Sequence, residues 1–213
     1  MEGLVGYWPL NEGAGSVAHD RSGNSNDGTI YGSPTWVAGK SGYALDFGAT
    51  TSDYVSISSP SGLSSSEVSV CAWVYVSAME DWNSIVKHNW VNSGSWLLYT
   101  TSTQVVFGVC DTAQRNVYHT YDISGEWHHL VGTFDGTNVR LYLDGSEVGT
   151  PNTASVSLDT TNSIKLSEDS FAKKLDEIRI YNRALSAAEI DFLFTHPRGK
   201  TKKSSLLYLR RFH

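Results

Sequence analysis

Gly125-Glu-Trp-His-His-Leu-Val-Gly-Thr-Phe-Asp-Gly-Thr-Asn-Val-Arg-Leu-Tyr-Leu-Asp-Gly145 decides the fold of this 213-residue chain. Within it Val139, Leu141 and Leu143 alternate with Arg140 and Tyr142, the period of a strand with one buried face. The pairs Asp135-Gly136 and Asp144-Gly145 supply residues that tolerate positive φ, as the tight turns of antiparallel hairpins require. The stretch therefore reads as consecutive strands of an antiparallel sheet.

The same punctuation runs outward in both directions. Strands are predicted at 4–10, 29–31, 43–47, 54–57, 67–76, 82–87, 95–101, 104–110, 116–121, 127–134, 138–143, 163–166 and 174–181. Many short strands between Gly, Asn, Asp and Ser turns indicate an all-β, two-sheet antiparallel sandwich. No repeat of fixed period points to a propeller or solenoid. One short helix is signalled by the capping box Ser186-Ala-Ala-Glu189 and should stop near Phe194, ahead of Pro197 and Gly199. The length suits a single sandwich domain, set at residues 1–195, followed by an arm at 196–213.

Charge separates these two parts. The chain carries 16 Lys and Arg against 22 Asp and Glu. Six of the bases, Arg198, Lys200, Lys202, Lys203, Arg210 and Arg211, lie in the arm, which has no acid. The body keeps ten bases against 22 acids, a balance of −12 that disfavours specific nucleic-acid binding. With Leu206, Leu207, Tyr208, Leu209 and Phe212 beside its charges, the arm is expected to dock on its own body or a neighbouring subunit. No apolar run approaches the ~20 residues of a membrane span. The N-terminus begins directly as a strand with no basic leader, so the chain either stays in the cytoplasm until lysis or assembly or has lost a leader. An extracellular or virion-surface location is expected. Cys71 and Cys110 each sit in a predicted strand, compatible with one bridge or with two buried thiols.

Several segments occur together in a telling order: Gly6-Tyr-Trp-Pro-Leu-Asn-Glu-Gly-Ala-Gly15, Asp20-Arg-Ser-Gly-Asn-Ser-Asn-Asp-Gly-Thr29 and Gly42-Tyr-Ala-Leu-Asp-Phe47. Ser69-Val-Cys-Ala-Trp-Val74, Gly125-Glu-Trp-His-His129 and Leu175-Asp-Glu-Ile-Arg-Ile-Tyr-Asn-Arg-Ala-Leu185 follow. With them the body resembles the laminin-G-like jelly rolls of the concanavalin A-like lectin/glucanase superfamily. The resemblance implies a jelly roll whose first and last strands lie side by side. It also implies a non-catalytic binding or adhesion module, with carbohydrate recognition on a glycan or glycoprotein surface as the expected role. A phage virion protein, a decoration or fibre subunit or a homo-oligomer assembled through the arm, is the alternative.

The loop after the first strand places oxygen-bearing side chains at alternate positions, Asp20, Ser22, Asn24 and Asn26, which suits calcium. An EF-hand is rejected, because Ser25 and Tyr31 stand where that motif needs Gly and a bidentate acid. The competing reading is a loop whose Asn and Asp side chains bond local N–H groups. In the similar jelly rolls the early-loop Asp and the last-strand Asp share one structural calcium. The resemblance carries this onto Asp20 and Asp176, with Asn24 and Asn26 completing the shell.

Catalysis finds weaker support. The glucanase branch carries Glu-x-Asp-x-x-Glu on a strand, whereas Glu189-Ile-Asp-Phe-Leu-Phe194 lacks the second Glu and falls in the predicted helix. His128 and His129 diverge as strand neighbours, one expected beneath a loop and the other exposed. The aromatic excess points instead to a binding surface. On 68–76 the aliphatic phase should face the core, presenting Trp73 and Tyr75 on the opposite face. Trp82, Trp90, Trp96 and Tyr99 cluster in the next region as further candidate ligand plates, with 87–94 as a variable rim.

Overall fold

The computed structural model describes residues 2–48, 50–89, 94–110, 112–168 and 173–199. In chain order the strands are Leu4–Trp8 (β1), Val17–Ala18 (β2), Gly28–Tyr31 (β3), Thr35–Ala38 (β4), Tyr43–Asp46 (β5), Tyr54–Ile57 (β6), Val68–Val76 (β7) and Asn83–His88 (β8). Trp96–Thr100 (β9), Gln104–Cys110 (β10), Gln114–Thr120 (β11), Trp127–Phe134 (β12), Asn138–Leu143 (β13), Ser146–Thr153 (β14), Ile164–Leu166 (β15) and Lys173–Tyr181 (β16) follow. The helix Ala187–Thr195 (α1) is the last described element.

The strands form two antiparallel sheets facing each other, a jelly-roll sandwich. The first runs β14-β13-β12-β7-β16-β5-β4, and the second β11-β10-β9-β8-β15-β6-β3-β2. The first and last strands are neighbours: Trp8 lies opposite Ile178 and Tyr7 opposite Arg179. β16 serves two partners along one edge, because Lys174 and Leu175 pair with β5 before a bulge hands the strand to β1. Glu177 in that bulge sits at φ 55°, the left-handed conformation that bulges favour.

Alternation fills the space between the sheets. Val70, Ala72 and Val74 of β7 and Leu130 of β12 point inward against Phe107 and Leu98 of the second sheet. Burying each Val or Leu is worth about 1.5–3 kcal/mol. Gly132 is needed for contact: a Cβ there would lie 2.0 Å from the Phe107 ring. Of the two Asp-Gly turns, Asp144-Gly145 has both residues at positive φ (49° and 84°), as its two-residue hairpin demands. Asp135-Gly136 turns differently. Only Gly136 is at positive φ, and the Asp135 carboxylate accepts from the backbone N–H groups of Thr137 and Asn138.

Some expectations needed correction. β2, β4 and β14 were not read from the sequence. β14 is polar, largely exposed and contains Pro151, a composition tolerated at a sheet edge and lacking alternation. The first strand ends at Trp8 rather than Leu10, whose φ is 49°. Cys71 and Cys110 lie on β7 and β10 of different sheets and are not bridged. Helix α1 starts from the expected box, with the Ser186 side chain accepting from Glu189 N and the Glu189 side chain accepting from Ser186 N. Its Ile190 and Leu193 pack on Cys71, Val131, Tyr142 and Tyr181, on the outer face of the first sheet. Among the described residues no helix is long and apolar enough to cross a membrane.

Candidate functional site

The six aromatic candidates separate into different places. Trp96 lies between the sheets, 1% exposed and stacked on His88 at 5.2 Å, so it is a core residue and no ligand plate. Trp73 has the outward phase that alternation predicts, yet it is also 1% exposed. Phe194 of α1 stacks on it at 5.6 Å, and the Lys40 ammonium sits 4.1 Å above its ring. Sequence alternation reports which side of a sheet a residue takes, not whether another element covers that side. Tyr75 is half-buried beside Trp127, under the Lys174 ammonium at 4.6 Å. Trp90 lies outside the described residues.

Trp82 and Tyr99 come together on the outer face of the second sheet. Their rings are parallel within 3°, with centroids 5.4 Å apart, and Trp82 is 56% exposed. Trp82 holds φ 57°, which for a bulky residue costs of order 1–3 kcal/mol and marks a conformation held by its surroundings. Tyr99 is joined on this face by Asn116 and Tyr118 of β11, neither of them among the residues that the sequence singled out. The Asn116 amide nitrogen donates to the Tyr118 hydroxyl at 2.8 Å and the Tyr99 hydroxyl at 3.4 Å. Asn116 Oδ1 has no hydrogen-bond partner and lies over Gly108, where a Cβ would meet it at 1.8 Å. Burial raises the Tyr99 phenol pKa, keeping that hydroxyl neutral. The signal available beforehand was the alternation of buried Val117 between Asn116 and Tyr118.

Farther across the same face lies a polar cavity of ≈ 190 Å³ between β8 and β15, lined by Lys87, Asn89, Asn162, Ser163, Lys165 and Glu168. Beyond it Tyr54 and Tyr31 stack at 4.8 Å, with the Lys165 ammonium 4.2 Å above the Tyr54 ring.

The first sheet's outer face holds a different arrangement. His129, Trp73 and Asp176 form one cross-strand row over β12, β7 and β16. All three are buried, and each carries a side-chain atom with no hydrogen-bond partner. Glu177 is buried beside them, its Oε2 accepting from the Tyr7 hydroxyl (2.7 Å) and the Arg179 guanidinium (2.8 Å). The expectation of one exposed histidine is overturned. His128 is tucked under the β13–β14 turn, its Nδ1 2.7 Å from Asp144 Oδ2, and α1 roofs His129. Glu189, first of the glucanase-like string, caps α1 and pairs with Arg183.

The residues suggested for calcium are engaged in hydrogen bonds. Asp20 Oδ1 accepts from Tyr7 N (2.9 Å) and Ser22 N (2.8 Å), and Oδ2 from Ser22 Oγ (2.7 Å) and Asn26 N (3.0 Å). Asn24 and Asn26 turn their amide nitrogens, not oxygens, onto the Val5 carbonyl, both at 2.9 Å. Asn26 Oδ1 accepts from Ser61 N. Asp176 Oδ2 accepts from Ser41 N at 2.9 Å, leaving Oδ1 open. This arrangement does not fit a ready-made calcium cradle, since the hard oxygens an ion needs are mostly engaged. Among the described residues no group of three or more His, Cys, Asp or Glu could hold a metal. Of the arm cations, Arg198 is exposed and lies near Glu177, on a groove formed by Ser41 and 196–199. Lys200, Lys202, Lys203, Arg210 and Arg211 lie outside the described residues.

Several solved structures share this architecture. The binding domain of Paraclostridial Mosquitocidal Protein 1 superposes with a TM-score of 0.77 at 16% identity, over 93% of this chain and 53% of that one. The binding domain of botulinum neurotoxin serotype G gives 0.76 at 14% identity, over 92% and 51%. That of botulinum neurotoxin DC in complex with SialylT gives 0.70 at 15% identity, over 91% and 51%. The chain spans about half the length of these structures, and at such identities the likeness is one of fold. No curated protein sequence matches the chain. The family model described as the concanavalin A-like lectin/glucanases superfamily matches residues 48–191, well over half of the chain. By that match, and by the jelly roll that carries it, the chain belongs to the concanavalin A-like lectin/glucanase superfamily.

Proposed function

We propose that the chain is a non-catalytic binding module that recognises carbohydrate on the outer face of its second sheet. The observation that carries this reading is the exposed Trp82 ring held parallel to Tyr99, with the exposed Tyr118 on the same face, where the buried Asn116 amide joins its hydroxyl to that of Tyr99. A flat aromatic ring covers the C–H face of a sugar, while exposed hydroxyl groups such as that of Tyr118 satisfy its hydroxyls. A binding role is supported by the similar folds, which include a domain solved with SialylT and another with rat synaptotagmin II. Assembly through the arm is the alternative proposal, and five of its six cations lie outside the described residues. The recognition surface does not depend on a calcium between Asp20 and Asp176, where hydrogen bonds already engage three of the four carboxylate oxygens.

A broad glycan array with the wild type and Trp82→Ala tests this. Trp82 is mostly exposed, so the variant should melt like the wild type while losing at least tenfold in affinity for any saccharide bound. An array without hits, or binding indifferent to Trp82→Ala, overturns the reading.

A further inference from the structure

We propose that the cavity between Lys87 and Lys165 is a subsite for an acidic group, so that the saccharide taken by this face bears a carboxylate or a sulfate. This rests on the carbohydrate reading above and names the class of sugar.

The placement of the two lysines is the first observation. They are direct cross-strand partners on β8 and β15. Like charges directly opposite one another destabilise a sheet, so the pair needs an anion between its ammonium groups. Glu168 fills that role: its Oε2 lies 2.5 Å from Lys87 Nζ and its Oε1 2.8 Å from Lys165 Nζ. All three side chains are about three-quarters or more buried. The lysines are therefore already desolvated and converged on one carboxylate, the geometry an incoming acid would use.

The incoming acid would take the place of Glu168 between the lysines. Glu168 follows β15 on a turn that includes Ser167 at φ 67°, rather than standing on a strand. Asp159, the other acid near this wall, accepts from Thr161 N (2.7 Å), Thr161 Oγ1 (2.8 Å) and the Asn162 amide, and so is occupied without the lysines. The cavity volume of ≈ 190 Å³ is small for a whole ligand but ample for one acidic substituent.

The surroundings identify the rest of the ligand. In strand order the cavity lies between two aromatic plates, Trp82–Tyr99 toward β9 and Tyr54–Tyr31 toward β6 and β3, with its Asn89, Asn162 and Ser163 wall offset along the strands. The strands β9, β8, β15, β6 and β3 are consecutive neighbours. At ~4.8 Å per strand the row spans about 19 Å, the reach of a short oligosaccharide rather than a single sugar. Rings on the flanking plates would carry the acidic group to the lysines between them.

Affinity of the full chain for matched pairs of oligosaccharides tests this. Oligogalacturonides are compared with their methyl esters, and sulfated oligosaccharides with their desulfated forms, so that the two arms tell carboxylate from sulfate. In at least one arm the acidic member should bind at least tenfold tighter, with an advantage that shrinks as salt rises. Lys165→Gln and Lys87→Gln should each abolish the advantage; because each breaks a largely buried ion pair, their affinities are compared at a temperature where the near-UV circular dichroism of the variant matches the wild type. Glu168→Gln should enlarge it. Equal binding within both kinds of pair overturns the acidic subsite and leaves the carbohydrate reading standing. Binding of polyglutamate with no saccharide bound overturns the carbohydrate reading and assigns the lysines to an acidic peptide.

Discussion

His129, Trp73 and Asp176 share one row beneath α1, and their burial sets two opposite pH dependences. Burial pushes the Asp176 carboxyl up to about 7, with the neighbouring Glu177 charge adding to it, although the Ser41 N–H works against the rise. In the unfolded chain an Asp titrates near 3.9. The folded state therefore keeps a proton that the unfolded chain has lost, and this contribution is full below about pH 4 and lost as pH rises through 7. His129 is pushed down to about 3 by burial and by the Arg179 and Lys40 charges, against about 6.5 when unfolded. Its contribution is full above pH 6.5 and lost as pH falls toward 3. Melting temperatures followed from pH 3 to 9 should separate the two. Asp176→Asn should flatten the loss between pH 4 and 7, and His129→Gln the loss between pH 6.5 and 3. Profiles parallel to the wild type would show that burial in this row does not govern either group.

Helix α1 shows what the sequence makes plain at the level of an element and what it leaves out. The spacing Ser186 to Glu189 announced its start, and the reciprocal bonds of the box are present. What α1 covers was not legible, because the Phe194–Trp73 stack joins residues far apart in sequence. The same gap explains why Trp73 read as an exposed plate: its phase is local information, and its roof is not. With nine residues, α1 is too short to persist without its packing and caps. Ser186→Ala should cost about 1 kcal/mol, seen as a lower urea midpoint. Cys71 supplies an independent readout, since it is fully buried against Ile190 and Leu193 of the helix. If lifting α1 is what exposes this thiol, a loss of about 1 kcal/mol raises its labelling rate by disulfide reagents about fivefold. A lower urea midpoint without faster labelling would place the opening of Cys71 elsewhere than in α1.

At the scale of the whole molecule, two sheets were legible because turn residues and alternation are repeated along the chain, whereas the adjacency of first and last strands was implied by the family resemblance alone. Pairings that build the outer face of the second sheet were less legible: Lys87 meets Lys165 only once β15 slots between β8 and β6, a register that no local pattern encodes. The closure of the chain ends shows how a correct topology can come with an uncertain cause. Sequence chemistry admitted either a shared calcium or a loop bonded to itself, and the two place different demands on Asp20. As placed, Asp20 accepts from four donors, one of them the N–H of Tyr7 on β1. β1 is then paired along β16 by backbone bonds, and Asn24 and Asn26 hold its Val5 carbonyl. Hydrogen bonds therefore account for the closure, and removing divalent ions should leave it intact. The wild type should melt at the same temperature in excess EDTA and in millimolar calcium. Asp20→Ala should lose about 1–3 kcal/mol in both buffers, because partly buried N–H donors are left without an acceptor. Asp20→Asn, which keeps one carbonyl oxygen, should fall between the two. A melt that rises several degrees with calcium, and a rise that Asp20→Ala abolishes, would mean that an ion does this work in place of the four donors.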